Sequence, residues 1–218
     1  MRSISEFSAY IFDFDYTLGD ATKGIVMCVN DALQKMSMPQ CSSDEIRKTV
    51  GLTLAETFYK LTGIEEPARG EEFALRFKEK ADQVMTESTE LFPDTIETLT
   101  KLKSRNAGLG IVTTKYHYWI DEILRKFRIE QLIDVIVGFE DVKIAKPNEE
   151  GLLSAIGWMN VAKDNAVYIG DSIVDAKTAR NAGVAFIAVT TGVTPAYAFE
   201  EFPHEHIIYS LSELLGLE

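Results

Sequence analysis

The sequence predicts an α/β protein in which a doubly wound parallel sheet carries an inserted, small α-helical domain. Short apolar runs alternate with helical patterns along residues 93–215. One more apolar run lies near the N-terminus, and residues 20–88 separate it from the others with helical patterns and no convincing strand. Because a first strand that pairs across such a gap implies an insertion, we predict a core of residues 1–19 and 89–218 and a helical cap of residues 20–88.

The first strand is predicted within residues 8–14 (SAYIFDF), which are apolar and end in acidic residues. In the helical block that follows, residues 24–36 and 73–85 place apolar side chains at helical spacing. Two helix starts, residues 42–45 (SSDE) and 53–56 (TLAE), match the capping box, in which a hydroxyl and a Glu three residues later cap the first turn.

After Pro93 the pattern alternates between helices and strands, as in a parallel sheet covered by helices. Helices are predicted at residues 94–103, 116–127, 149–158, 173–182 and 211–215. Strands are predicted at residues 109–112, 134–137, 166–169, 184–189 and 207–209.

Polar residues follow the predicted strands at the positions where chemistry is expected. In open parallel sheets, ligands lie beyond the carboxyl ends of the strands. The candidates, in chain order, are Asp13, Asp15, Thr113, Thr114, Lys146, Asp171 and Asp175. The sequence therefore predicts that these side chains converge on one edge of the sheet.

The composition narrows the classes of function. The chain has 218 residues and a formal net charge of −12, and it has no cluster of Lys and Arg, which argues against binding nucleic acid. No apolar run approaches the roughly 20 residues of a membrane-spanning helix. The N-terminal residues lack the apolar segment of a signal peptide, which predicts a cytoplasmic protein. Cys28 and Cys41 lack the spacing of a metal site and are expected to be free thiols.

Four acids at one sheet edge need positive charge nearby, because like charges disfavour the ionised form. Mg²⁺ prefers oxygen ligands, while Lys146 adds an ammonium and Thr113 a hydroxyl donor. Alternate residues of a strand face the same side, so Asp13 and Asp15 lie together. One can attack a phosphorus atom while the other transfers protons, which predicts magnesium-dependent phosphoryl transfer.

Four motifs in order make the chain resemble the haloacid dehalogenase (HAD) superfamily. Residues 13–17 (DFDYT) match DxDxT, and Thr113 follows an apolar strand in GIVTTK. Lys146 precedes Pro147, and residues 170–175 (GDSIVD) match GDxxxD. The resemblance covers nearly the whole chain, and the helical block resembles the cap of the subgroup that holds phosphoglycolate phosphatase and β-phosphoglucomutase.

This resemblance implies a role for each site residue. Asp13 would be the nucleophile and Asp15 the general acid and base. The phosphoryl oxygens would be held by Thr113, Thr114 and Lys146. The Mg²⁺ would be bound by Asp13, the backbone carbonyl of Asp15, and Asp171, with Asp175 either a ligand or a partner of the ligands.

Departures from the family pattern leave the substrate open. Tyr16 stands at a frequent Gly, Thr114 at a position that is often Asn in phosphoglycolate phosphatases, and Glu149 at the second proline of KPxP. Two further assignments rest on loop position alone. Lys143 competes weakly with Lys146, and His117 is expected to start a helix rather than contact substrate.

We predict a phosphatase that acts on a small phosphorylated metabolite resembling phosphoglycolate, as a monomer or weak homodimer. A β-phosphoglucomutase-like mutase is the alternative, although residues 50–53 (VGLT) lack the cap arginine of those relatives. A phospho-acceptor signalling domain is less favoured, because its acceptor Asp follows a middle strand and it has no helical insert. A binding protein without catalysis is disfavoured because every reacting group is present.

Overall fold

A computed structural model describes residues 6–217, so the start of the N-terminal segment that lacks a signal-peptide pattern lies outside the described residues. The chain divides into two compact units. The sheet unit comprises Met1–Gly19 and Leu91–Glu218, and the helical unit comprises Asp20–Glu90. The helical unit begins where the insertion was predicted to begin and ends at Glu90 rather than at residue 88. That it acts as a cap stays a prediction.

The strands of the described residues are short. They are β1 (Ala9–Phe12), β2 (Gly19–Asp20), β3 (Glu90–Leu91), β4 (Gly108–Val112), β5 (Val135–Val137), β6 (Ala166–Gly170), β7 (Ala185–Val189) and β8 (His206–Ile208). Six of them form one parallel sheet in the order β5-β4-β1-β6-β7-β8, and β2 pairs with β3. The predicted fold class, a doubly wound parallel α/β sheet, is confirmed.

The helices alternate with the strands in the sheet unit and are consecutive in the helical unit. They are α1 (Thr22–Lys35), α2 (Ser43–Arg47), α3 (Leu54–Thr62), α4 (Pro67–Ser88), α5 (Thr95–Ser104), α6 (His117–Phe127), α7 (Glu150–Trp158) and α8 (Ile173–Ala182).

The central strand β1 is buried on both faces, which explains its uninterrupted apolar sequence. Tyr10 and Phe12 enter the core cluster that also contains residues of α5 and α6. Ala9 and Ile11 point to the opposite face and join the cluster that contains residues of α7 and α8. Two hydrophobic layers therefore cover the sheet, one between each of its faces and the helices packed there.

The helical unit has its own core. Phe58 and Phe73 are fully buried, with ring centroids 5.4 Å apart, and Cys28 is buried among the apolar side chains of α1. Both predicted capping boxes are present, at Ser42 and Thr53. Cys28 and Cys41 are thiols that form no disulfide with any described residue, as predicted.

The structure differs from the sequence prediction at the ends of elements. The chain leaves the sheet after Phe12, two residues earlier than residue 14. The segment Leu211–Leu215 forms a 3₁₀ helix, a geometry that is common in short pieces, rather than the predicted α-helix. Strands β2 and β3 were missed because two residues carry no periodic pattern. Among the described residues, no helix is long and apolar enough to cross a bilayer.

Candidate active site

The carboxyl ends of three neighbouring strands bring the predicted residues together. Asp13 follows β1, Thr113 follows β4 and Asp171 follows β6, and these strands are adjacent in the order β4-β1-β6. The amide of Asp13 donates to the carbonyl of Ile169 at 2.8 Å, and that of Thr113 donates to the carbonyl of Val137 at 3.0 Å. Ladder hydrogen bonds therefore fix the backbone of these residues at the sheet edge.

Three buried carboxylates form the centre of the site. Oxygen atoms of Asp13, Asp171 and Asp175 all lie within 4.8 Å of one another. The exposed fractions of these residues are 2%, 4% and 0%. Among the described residues, these three acids form the cluster of possible ligands that is close enough to hold a metal ion.

Lys146 connects two of these acids. Its Nζ lies 2.9 Å from Oδ1 of Asp13 and 2.7 Å from Oδ1 of Asp175. Both contacts are ion pairs, and the contact with Asp175 is also a hydrogen bond. Lys143 is exposed, and its amide donates to the Glu150 carboxylate. The structure thus brings Lys146, rather than Lys143, to the acids.

Burial dominates the electrostatics of this cluster. It raises the pKa of Asp13 to about 7, an effect that Lys146 opposes and Asp175 reinforces. It also raises the pKa of Asp171 well above its ordinary value, and the charges of Asp175 and Asp13 add to the effect. For Lys146, burial alone would lower the pKa, but Asp13 and Asp175 outweigh it and raise the pKa. Lys146 therefore stays protonated, but its one positive charge is too small to keep all of the neighbouring carboxyl groups ionised.

The donor set fits a divalent cation. Three carboxylates face one ammonium, which leaves a formal deficit of two positive charges when all are ionised. The ligand atoms are hard oxygens, the type that Mg²⁺ prefers. A dication at this position would favour the ionised carboxylates and so oppose the burial and the repulsion that raise the pKa of Asp171.

Tyr168 is a site residue that the sequence analysis missed. Lys146 Nζ donates to its hydroxyl at 3.0 Å, and the same hydroxyl lies 2.9 Å from the carbonyl of Val112 and 3.0 Å from Oδ1 of Asp175. Its ring is fully buried within β6. Because a Tyr in an apolar strand reads as core, only the hydroxyl's partners reveal its contact with the site.

Both carboxylate oxygens of Asp175 accept hydrogen bonds from protein groups. Its Oδ1 accepts hydrogen bonds from Lys146 and Tyr168, while its Oδ2 accepts one from the amide of Ser172 at 3.0 Å. Ser172 and Asp175 form the capping box of α8. Both oxygens of Asp175 therefore already have protein partners, whereas the described hydrogen bonds include no side-chain donor to Asp171.

Gly192, in the loop after β7, was also missed. A Cβ at this position would lie 1.8 Å from Oδ2 of Asp171. Any side chain would therefore displace Asp171, so the close approach requires glycine. A Gly after a strand suggests a turn, but its contact with an acid from another strand is visible only in three dimensions.

Asp15 lies beside the cluster and pairs with a lysine that was not predicted. Oδ2 of Asp15 is 3.0 Å from Nζ of Lys115, and both side chains are buried. The amide of Lys115 donates to Oγ1 of Thr113 at 3.2 Å. Lys115 follows a strand by three residues, so the strand-end rule could have identified it.

Other candidates stay outside this constellation. Thr114 is half-buried beside Thr113, and the described hydrogen bonds include none from its side chain to the acids. His117 begins α6, as predicted, and its Nδ1 lies 2.6 Å from Oδ2 of Asp141.

Comparison with known proteins places the chain in a family. Residues 10–189 match the family model described as haloacid dehalogenase-like hydrolase. A putative haloacid dehalogenase-like hydrolase from Bacteroides fragilis superimposes with a TM-score of 0.93 and is 43% identical, covering 95% of this chain and 99% of that one.

Two curated relatives match along almost their whole length. Phosphoglycolate phosphatase of Shigella boydii is 26% identical, over 99% of this chain and 94% of the relative. Pyrophosphatase PpaX of Bacillus mycoides is 25% identical, over 95% of this chain and 94% of the relative. The family predicted from the four motifs is confirmed: the chain belongs to the haloacid dehalogenase-like hydrolases.

Proposed function

We propose that this hydrolase is a magnesium-dependent phosphatase that cleaves a small phosphomonoester through an aspartyl-phosphate on Asp13. One observation carries the proposal: Asp13 is a buried carboxylate that lies within 4.8 Å of two further acids and 2.9 Å from a buried ammonium. No structural role requires such a costly cluster, since buried charges destabilise a fold unless they are paired. The names of the relatives, a phosphoglycolate phosphatase and a pyrophosphatase, support the same chemistry.

Asp13 and Asp171 are the side chains best suited to bind Mg²⁺, together with the backbone carbonyl of Asp15. Asp175 has both oxygens occupied by protein donors, so we assign it to holding Lys146 in place. When bound, Mg²⁺ would neutralise charge on the transferring phosphoryl group.

In the first step, a carboxylate oxygen of Asp13 attacks phosphorus. The bond between phosphorus and the ester oxygen breaks, and its electron pair leaves with that oxygen. Asp15, two residues along, supplies the proton that converts the leaving oxygen to a hydroxyl. The product is an alcohol and an acyl phosphate on Asp13.

In the second step, water attacks the phosphorus of the acyl phosphate and gives its proton to Asp15. The bond between phosphorus and the Asp13 oxygen breaks, which releases phosphate and restores both carboxyl groups. Thr113 can donate its hydroxyl to a phosphoryl oxygen, because its Oγ1 already accepts the amide of Lys115. Lys146 stabilises the negative charge of the phosphoryl group. Its ammonium must give up one of its contacts with Asp13, Asp175 or Tyr168 before it can bind a phosphoryl oxygen directly.

The proposed substrate is a small phosphorylated metabolite of the phosphoglycolate type. Release of phosphate should be measured with p-nitrophenyl phosphate, phosphoglycolate, sugar phosphates and pyrophosphate, with Mg²⁺ and with a chelator. We expect many turnovers per site with Mg²⁺, little without it, and the highest kcat/KM for a small organic monoester. Pyrophosphate as the preferred substrate would overturn the monoester assignment while leaving the phosphatase chemistry intact.

The same measurements separate the alternatives. A phosphosugar mutase would isomerise a sugar phosphate and release little phosphate. A phospho-acceptor domain would incorporate one phosphoryl group per chain and stop. Either outcome would contradict the proposed hydrolysis.

A further inference from the structure

Lys115 is a buried cation that the four family motifs leave unassigned. Only 4% of its side chain is exposed, and 11% of the side chain of its partner Asp15. The distance of 3.0 Å between Nζ and Oδ2 is that of a charge-assisted hydrogen bond. Burying a lysine is costly, and the carboxylate of Asp15 offsets part of that cost here.

The backbone of Lys115 is fixed on both sides. Its amide donates to Oγ1 of Thr113 at 3.2 Å, and its carbonyl accepts the amide of Phe139 at 2.9 Å. Two loops at the carboxyl edge of the sheet thus hold its backbone, and the ion pair with Asp15 places its ammonium.

The two oxygens of Asp15 differ. Oδ2 is bound to Lys115, whereas Oδ1 is buried and has no hydrogen-bond partner among the described residues. A carboxyl group tethered through one oxygen has its rotation restricted, so the other oxygen takes a defined position. That second oxygen is then the one available to exchange a proton with a substrate.

We infer that Lys115 is a positioning residue that tethers Asp15 through Oδ2, so that Oδ1 transfers the proton to the leaving group. The inference rests on the proposed phosphatase function, because it assumes that Asp15 protonates an ester oxygen. It predicts a selective effect: loss of Lys115 matters most where the leaving oxygen needs a proton. An alkyl phosphate needs one, whereas p-nitrophenolate leaves readily without it.

The test compares Lys115→Met with wild type on p-nitrophenyl phosphate and on an alkyl monophosphate of similar size. We expect kcat for the alkyl ester to fall at least about tenfold more than kcat for the nitrophenyl ester. KM should change little for either, since Asp15 does not bind the phosphoryl group. Lys115→Arg, which keeps a cation near Oδ2, should recover part of the loss on the alkyl ester.

A double mutant tests whether Lys115 acts through Asp15. Asp15→Asn should itself show the selective loss, and adding Lys115→Met to it should cause no further selectivity. Lys143→Met, at an exposed lysine of a neighbouring loop, is the matched control and should leave both esters unaffected. If Lys115→Met does not fold, as judged by thermal unfolding, then Lys115→Arg and Lys115→Gln carry the comparison.

The outcomes are distinguishable. An equal loss on both esters, a rise in KM on both, or additive effects in the double mutant would overturn the positioning role, because Lys115 would then act on the phosphoryl group or on the fold. If the wild type releases phosphate from neither ester, the proposed function itself fails, and the positioning role fails with it.

Discussion

The ion pairs of the helical unit and the charges of the candidate active site in the sheet unit differ in burial. In the helical unit, ion pairs such as Lys35–Asp31, Arg69–Glu72 and Lys78–Asp82 join residues three or four apart on one helix. Their side chains are between 30% and 43% exposed. In the sheet unit, the residues of the acidic cluster and Lys146 are less than 10% exposed and come from distant parts of the chain.

Exposed ion pairs and buried charges differ in what they contribute to stability. An exposed pair gains little, because water already solvates both partners. A buried cluster with more acids than cations costs stability, as the raised pKa values of Asp13 and Asp171 indicate. Such a cost is typical of functional sites. The following predictions test that contrast, from the largest expected effect to the smallest.

Asp171→Asn should remove most of the activity, because it takes away a carboxylate that no other described side chain replaces in the metal site. We expect kcat/KM to fall about a thousandfold and the Mg²⁺ concentration for half-maximal activity to rise. Asp164→Asn is the control, since Asp164 is an exposed acid that precedes β6 whereas Asp171 follows it. If Asp171→Asn keeps normal Mg²⁺ dependence, the assignment of Asp171 as a ligand is wrong.

Gly192→Ala should weaken the metal site without changing any charge. Its Cβ would lie 1.8 Å from Oδ2 of Asp171, so the carboxylate must move. We expect apparent Mg²⁺ affinity to fall about tenfold to a hundredfold, as for other changes that disturb a ligand's support. Gly157→Ala is the matched control, since nothing lies within 4 Å of a Cβ built there. Equal Mg²⁺ titrations for the two variants would contradict the predicted contact.

Asp13→Asn should stabilise the metal-free protein at neutral pH. Because the pKa of Asp13 is raised from 3.8 to about 7 on folding, the folded state binds more protons than the unfolded state between these pH values. The stability of the metal-free wild type therefore falls as pH rises from about 4 to 7, and the variant lacks this contribution. We expect the difference in free energy of unfolding to grow to a few kcal/mol by pH 7.

Chemical denaturation at several pH values, in the presence of a chelator, measures this difference. Saturating Mg²⁺ should reverse it by stabilising the wild type more than the variant. A variant that is less stable than the wild type across the whole pH range would show that the ionised carboxylate of Asp13 does not destabilise the fold.

Arg69→Ala in the helical unit should have the smallest effect. It removes an ion pair with Glu72 whose side chains are 34% and 37% exposed. We expect the free energy of unfolding to change by less than about 0.5 kcal/mol, with kcat/KM unchanged. A loss of activity in Arg69→Ala would show that an exposed ion pair of the helical unit contributes to catalysis, which contradicts the contrast with the buried site.

Much of the site could be predicted because the topology of a parallel sheet determines which residues meet. Parallel strands place their carboxyl ends at one edge, so residues that follow apolar runs, such as Asp13, Thr113 and Asp171, must converge. The helical insertion could be predicted because a long block without strands interrupted the alternation.

The unpredicted parts depend on side-chain contacts that no linear pattern encodes. Tyr168 lies inside an apolar strand, and its site contact depends on the direction of one hydroxyl. Whether a loop lysine such as Lys115 turns inward depends on the acid that it meets. Gly192 matters because of an acid that precedes it by 21 residues and follows a different strand. Cap function, cytoplasmic location and oligomeric state stay predictions.

The most direct test of the central claim is to trap the phosphoryl group on the nucleophile. The enzyme should be mixed with substrate and Mg²⁺, quenched in acid during turnover and reduced with borohydride, which converts an aspartyl-phosphate to homoserine. Peptide mass spectrometry is expected to find homoserine at position 13, with Asp15 unchanged. Turnover with unmodified Asp13, or homoserine at another aspartate, would contradict the proposal.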